Sequence, residues 1–166
     1  VNAPHLSDGT YVYPGTCRDR DPDSQLRHPL GAATRFRLLD GETICFEDRR
    51  LGPQRARLET ESGDFIIRRR DGLWAYQLAC AVDDALMGVT HVLRGEDLLT
   101  STPRQIAILN ALGLPAPQYE HVALVADEQG RRMCKRDGSC SLRSLRESGL
   151  TPEEARAMIL GAPLLS

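Results

Sequence analysis

The 166 residues suffice for one ordinary domain, or for a small unit beside part of another. A hydrophobic fraction of 41% with 27% charged residues fits a folded globular chain rather than a disordered one, and no apolar run approaches the ~20 residues of a membrane span. The net charge of −2 argues against a strongly basic nucleic-acid binder, and no signal peptide opens the chain, so the expected location is the cytoplasm.

Residues 1–33 are turn-rich, with Pro4, Gly9, Pro14, Gly15, Pro22, Pro29 and Gly31 interrupting any period. Short alternating stretches follow at Arg35–Leu39, Thr43–Glu47 and Arg55–Glu59, with a turn signal at Asp40-Gly41; they predict antiparallel strands of a small β-rich unit. Phe65–Arg68 is a further strand, stopped at Asp71-Gly72. From Leu73 the pattern becomes strand and helix in alternation. Trp74–Met87 is apolar almost all round and predicts a buried helix. Tyr76, Cys80 and Asp83 share one stripe of it, and Gln77 and Asp84 lie on the next.

Val89–Leu93 predicts a buried parallel strand, and Gly95-Glu96-Asp97-Leu98 forms the loop leaving its C-terminal end, where ligands sit in open α/β sheets. Thr102-Pro103-Arg104-Gln105 is a helix-start signal, with threonine as N-cap, proline at N1 and glutamine at N3; that helix runs to Gly113. Tyr119–Val125 predicts a strand and Asp127–Gly130 a turn. Two short helices follow, Leu142–Ser148 and Pro152–Leu160. The second opens with a Thr151/Glu154 capping box and places Ala155, Met158, Ile159 and Ala162 on its inner face.

Two compositional features bear on chemistry. Cys17, Cys45, Cys80, Cys134 and Cys140 form no C-x-x-C pair, so neither a disulfide framework nor a complete zinc site is visible. Of 21 basic residues only Lys135 is lysine, so a chain that uses arginine for every generic positive charge keeps an amine there. Asp83 and Asp84 suggest a metal pair, but adjacent helical residues point about 100° apart and are poor joint ligands. They read as polar helix residues beside a site.

Three blocks carry a resemblance: GDFIIRRRDGLWAYQLACAVDDALMGVTHVLRGEDLLTSTPRQ, PQYEHVAL and RRMCKRDG. Together, in this order and spacing, Gly63–Gly138 resembles the second half of the catalytic domain of class I glutamyl-tRNA synthetases. The last block resembles the family's mobile KMSKS loop, here Arg132-Met133-Cys134-Lys135-Arg136. Arginine replaces its first residue and cysteine its third, and the lysine is kept. The resemblance implies an α/β fold: the C-terminal half of a Rossmann-like synthetase domain over residues 63–140, preceded over residues 1–62 by the remnant of a small β-rich, zinc-type insert. Residues 141–166 would be a short helical ending.

It also implies roles. Lys135 would act as the catalytic, ATP-binding amine that follows charge developing on the phosphates. Tyr76 and Arg94 would bind the glutamate substrate; a bidentate guanidinium suits a carboxylate. Asp97 would lie near the nucleotide. Tyr13-Pro14-Gly15-Thr16-Cys17 resembles the second half of a zinc insert, with Tyr13 and Cys17 as two ligands and two upstream cysteines absent from this sequence. Read without the resemblance, Tyr76 is a core aromatic and Arg94 a structural ion-pair partner.

The YQLA wording and the compact ending, about thirty residues after Lys135, resemble the shorter members of the family, which attach glutamate to queuosine in the anticodon of tRNA(Asp). ATP with Mg2+, L-glutamate and tRNA(Asp) are then the expected substrates and partners, Zn2+ is expected in the full-length protein and not in this fragment, and the complete protein is expected to be a monomer without membrane association. Val1 is not methionine and no His-x-Gly-His motif occurs, so a preceding catalytic portion is expected and the fragment alone is expected to be inactive. The alternatives are part of a synthetase that charges the tRNA 3′ end, and a non-catalytic tRNA- or protein-binding module.

Overall fold

The computed structural model describes residues 12–19, 31–125, 141–161 and 164–165. The chain divides into two compact units, Val1–Arg94 with Leu98–His121, and Gly95–Asp97 with Val122–Ser166.

In the first unit, β1 (Thr34–Phe36) pairs antiparallel with β4 (Phe65–Arg68), and the Phe36 and Phe65 rings stack at 5.2 Å. β2 (Thr43–Asp48) and β3 (Gly52–Arg57) form an antiparallel hairpin. Along β2 the inward positions are Ile44, Phe46 and Asp48, the two-residue period of a half-buried strand; its last inward residue is therefore a carboxylate. A single turn of helix, α1 (Leu58–Glu61), follows directly, so the expected strand Arg55–Glu59 ends early at Arg57. Leu58 is buried by that turn. Gly63 then takes φ +61°, and a Cβ there would meet Val12 Cγ1 at 2.9 Å, which explains why only glycine fits.

The main sheet has the order β3-β2-β6-β5, with β5 at His91–Gly95 and β6 at Gln118–Val122. β6 runs parallel to β2, with Tyr119 opposite Asp48. The helices α2 (Tyr76–Leu86) and α3 (Thr102–Leu112) pack on each other, and α3 also packs on β2. Ile106, Ala107, Ile108 and Leu109 of α3 are all buried and join Leu38, Ile44, Leu58, Phe65, Ala81 and Tyr119 in one core. Leu109 is wholly inaccessible, and truncating such a leucine to alanine costs about 2–5 kcal/mol. Gly113 closes α3 in the left-handed conformation at φ +66°.

Two expectations fail here. The helix read as apolar all round buries only Ala81 completely, and Leu86 and Met87 at its end are 74% and 79% exposed. α2 meets a helix on one side, and among the described residues nothing covers its far end. The strand after it begins two residues late and leaves Leu93 68% exposed.

In the second unit, α4 (Leu142–Glu147) packs against α5 (Pro152–Leu160), and the short strands β7 (Leu124–Val125) and β8 (Leu164–Leu165) pair antiparallel. The predicted strand Tyr119–Val125 is thus broken after Val122. The Thr151/Glu154 capping box forms as expected: Glu154 N–H donates to Thr151 Oγ1 and Thr151 N–H to Glu154 Oε2. Hydrogen bonds from the Thr151 backbone and hydroxyl hold the Glu154 carboxyl below the usual carboxylate range. Met158 of the expected inner face is 53% exposed and Ala155 half-buried, because so short a helix has a single helical neighbour. Ala162 and the Asp127–Gly130 turn lie outside the described residues, as does the Ile159 side chain.

Candidate functional site

Arg94 sits at the C-terminal end of β5, half-buried, and its guanidinium is held by three side chains. Nε–H donates to His121 Nε2 at 3.0 Å, Nη1 to Gln105 Oε1 at 2.8 Å and Nη2 to Thr102 Oγ1 at 2.6 Å. Three acceptors on a planar cation fix both its position and its plane. The face of the guanidinium lies 5.2 Å from the ring centre of Tyr119.

Behind it lies a buried carboxylate–imidazole pair. His121 Nδ1 is 2.6 Å from Asp48 Oδ2, with both side chains fully inaccessible. Asp48 accepts three further bonds, from the backbone N–H groups of Arg50, Leu51 and His121. Burial alone would raise the Asp48 pKa, but these four donors outweigh it and hold the carboxyl below its ordinary value. The strand pattern explains the meeting. β6 turns Tyr119 and His121 inward, β2 turns Asp48 inward, and the Asp48–Tyr119 register brings His121 onto the same carboxylate. Tyr119 itself is pushed up to about 12, first by burial; the Arg94 charge opposes the rise and Asp84 adds to it.

Tyr76 opens α2, 49% exposed, within electrostatic reach of Arg94 and of Cys80 one helical turn on. Burial first, then the hydrogen bond and charge of Cys80, push its pKa above the ordinary value, while Arg94 pulls it down. The expected pair is thus brought together, and Cys80 joins it one helical turn on. Tyr76 is half exposed, and among the described residues no carboxylate is ion-paired with Arg94. Asp97 is an exposed residue of the 3-10 turn Glu96–Ser101, in the second unit. A Cβ on Gly95 would lie 2.5 Å from its carboxylate oxygen, so the glycine lets Asp97 fold back. Asp83 is exposed and Asp84 half-buried. Lys135 lies outside the described residues.

Sequence reasoning missed Asp48, His121, Thr102 and Gln105. Thr102 was expected to cap α3, but Ser101 holds the N-cap position, its hydroxyl accepting from Gln77 Nε2 rather than capping the helix, and the Thr102 hydroxyl is committed to Arg94. Gln105, 2% exposed, likewise serves Arg94 rather than the helix start. An acid and a histidine at inward positions of apolar strands were the available signals.

Tyr13 and Cys17 are also neighbours: Cys17 N–H donates to the Tyr13 hydroxyl at 2.6 Å, and Arg35 stacks on the Tyr13 ring at 4.1 Å. Burial, then the Cys17 side chain, push the tyrosine pKa up. They line a cavity of about 500 Å³ together with Arg18, Arg35, Arg37 and Arg70. No group of three His, Cys, Asp or Glu side chains suited to a metal occurs among the described residues. Zinc takes four ligands, and Tyr13 and Cys17, beside Asp64 and the arginines in the same cavity, supply only the two expected donors.

Residues 18–161 match the family of tRNA synthetases class I (E and Q), catalytic domain. The chain is 53% identical over 144 residues to "Glutamate--tRNA ligase 2" of Nitrosococcus oceani, covering 85% of this chain and 30% of that protein. It is also 53% identical over 135 residues to "Glutamyl-Q tRNA(Asp) synthetase" of Cupriavidus metallidurans, covering 80% and 42%. A solved glutamate tRNA ligase from Elizabethkingia meningosepticum, in complex with its amino acid, superposes with a TM-score of 0.63 at 25% identity over 86% of this chain and 29% of that one. The chain thus spans less than half the length of each of these proteins. No described helix is long and apolar enough to cross a membrane.

Proposed function

Because the chain belongs to the catalytic-domain family of class I tRNA synthetases for glutamate and glutamine, we propose that it serves ATP-dependent activation of L-glutamate and its transfer to queuosine in the anticodon of tRNA(Asp). In the first step a glutamate carboxylate oxygen bonds to the α-phosphorus of ATP, the bond to the β-phosphate oxygen breaks, and pyrophosphate leaves. In the second the RNA nucleophile attacks the activated carbonyl and AMP leaves. Arg94 and Tyr76 hold the amino acid, Lys135 follows the negative charge that grows on the phosphates, and Asp97 serves the nucleotide. ATP brings Mg2+ with it, for charge neutralisation at the phosphates.

The observation that carries this reading is the Arg94 guanidinium itself. It is fixed by neutral acceptors at the C-terminal end of a strand, lies within electrostatic reach of Tyr76, and has no described carboxylate paired to it. An arginine prepared in this way suits an incoming carboxylate, since its charge is still to be matched. The transfer step rests on the YQLA wording at the start of α2 and on the relatives named Glutamyl-Q tRNA(Asp) synthetase. Equal identity to relatives of both names keeps the second reading, charging of the tRNA 3′ end, as the alternative.

The test uses the complete product of the gene that encodes this chain. Glutamate-dependent exchange of pyrophosphate into ATP is expected, followed by glutamate transfer to queuosine-containing tRNA(Asp) and not to tRNA(Glu). Transfer to the 3′ end of tRNA(Glu) establishes the alternative, and tRNA binding without exchange makes the protein a binding module. Replacing Lys135 by alanine should lower the exchange rate by about 10²–10³-fold with the thermal melting curve unchanged, the size seen when one preorganised charge-stabilising group is removed. An unchanged rate removes its assigned role.

A further inference from the structure

We propose that His121 is a positioning residue for Arg94, held by Asp48 in the tautomer that offers Nε2 as the acceptor for the Arg94 Nε–H. The inference rests on the reading that Arg94 grips glutamate, and it concerns how that grip is aimed.

An arginine Nε–H can only donate, so the His121 Nε2 that lies 3.0 Å from it must carry a lone pair. The imidazole proton then sits on Nδ1, where it donates to Asp48 Oδ2 at 2.6 Å. Asp48 is in turn locked by three backbone donors and cannot turn away. With both side chains wholly inaccessible, water cannot replace any member of the chain. Thr102 Oγ1 also lies 3.1 Å from His121 Nε2, but it accepts from Arg94 Nη2, and Leu98 O lies within reach of its own proton. The obligatory donor to Nε2 is therefore the arginine.

The result is a relay of one carboxylate, one neutral imidazole and one guanidinium. The Asp48 carboxylate holds the far side of the imidazole without touching Arg94, and the ring sets the rotation of the guanidinium about its Nε. Without His121, Gln105 and Thr102 still hold the two Nη atoms, but the third point that fixes the plane is gone.

Two measurements test this. In the complete gene product, His121→Ala should raise KM for glutamate about tenfold or more in pyrophosphate exchange, with KM for ATP unchanged; losing one hydrogen bond to a charged group has that size. His121→Gln, whose amide oxygen can accept the Nε–H, should recover most of the loss even if its melting temperature matches that of His121→Ala. Equal rises in both KM values, or glutamine no better than alanine, overturn the proposal, since a merely structural histidine behaves so. In the chain itself, ¹⁵N spectra of labelled histidine should show His121 protonated on Nδ1 only at neutral pH; a proton on Nε2 overturns it directly. Wild-type protein without glutamate-dependent exchange sinks the glutamate reading instead, and the tautomer spectra still decide the relay.

Discussion

Two places in the first unit unite residues that the family resemblance pairs, and they are built very differently. Tyr76 and Arg94, eighteen positions apart, meet on top of four buried polar side chains, Asp48, His121, Thr102 and Gln105, drawn from two strands and a helix. Tyr13 and Cys17 meet through one local backbone bond four residues long, and both remain half-buried among arginines. Proximity is common to both. What separates them is support: a group that must hold a ligand in one geometry needs neighbours that cannot move, and the first pair rests on four buried ones.

The comparison can be broken most forcefully at Asp48. Asp48→Ala strands the His121 ring and three backbone donors in a water-free interior, and should destabilise the chain by about 3–5 kcal/mol, read as a large fall in melting temperature. A loss below 1 kcal/mol means the buried network supports nothing. Arg94→Lys comes next. An ammonium cannot reach three diverging acceptors, so the melting curve should shift by about 1–3 kcal/mol, and KM for glutamate should rise more than kcat falls.

Acid offers a graded version. Because Asp48 is held below its unfolded value, its contribution is complete above that value, about 3.9, and is lost as pH falls below it toward the folded pKa. Stability should therefore drop steeply below about pH 4, and the drop should be shallower in Asp48→Asn. Equal slopes in the two proteins contradict the assignment. Smallest of all should be Cys17→Ser, within about 0.5 kcal/mol, with added zinc leaving the melting temperature unmoved. A zinc-dependent rise abolished by that substitution would restore the metal reading.

How far the sequence was legible follows the same division. The hairpin of β2 and β3, the α3 helix with its Gly113 stop, and the Thr151/Glu154 capping box were readable because each depends on neighbours a few positions away. The burial of α2 was misread because periodicity reports which residues are apolar, whereas exposure of Leu86 and Met87 depends on what packs beside them. Tyr76 and Arg94 were legible only through motif resemblance, and their supports not at all. Thr102 and Gln105 were assigned to helix capping, the local role that residues of those types usually fill at such positions.

What the residues alone determined is the order of elements, the family and the two side chains set to meet at the head of α2 and the end of β5. The tertiary structure decided that Asp48 and His121, 73 positions apart, lie within hydrogen-bonding distance behind the arginine. Strand alternation can say that each points inward, but their meeting requires the parallel register of β2 and β6. A slip of one residue in that register would turn one of them to the opposite face of the sheet.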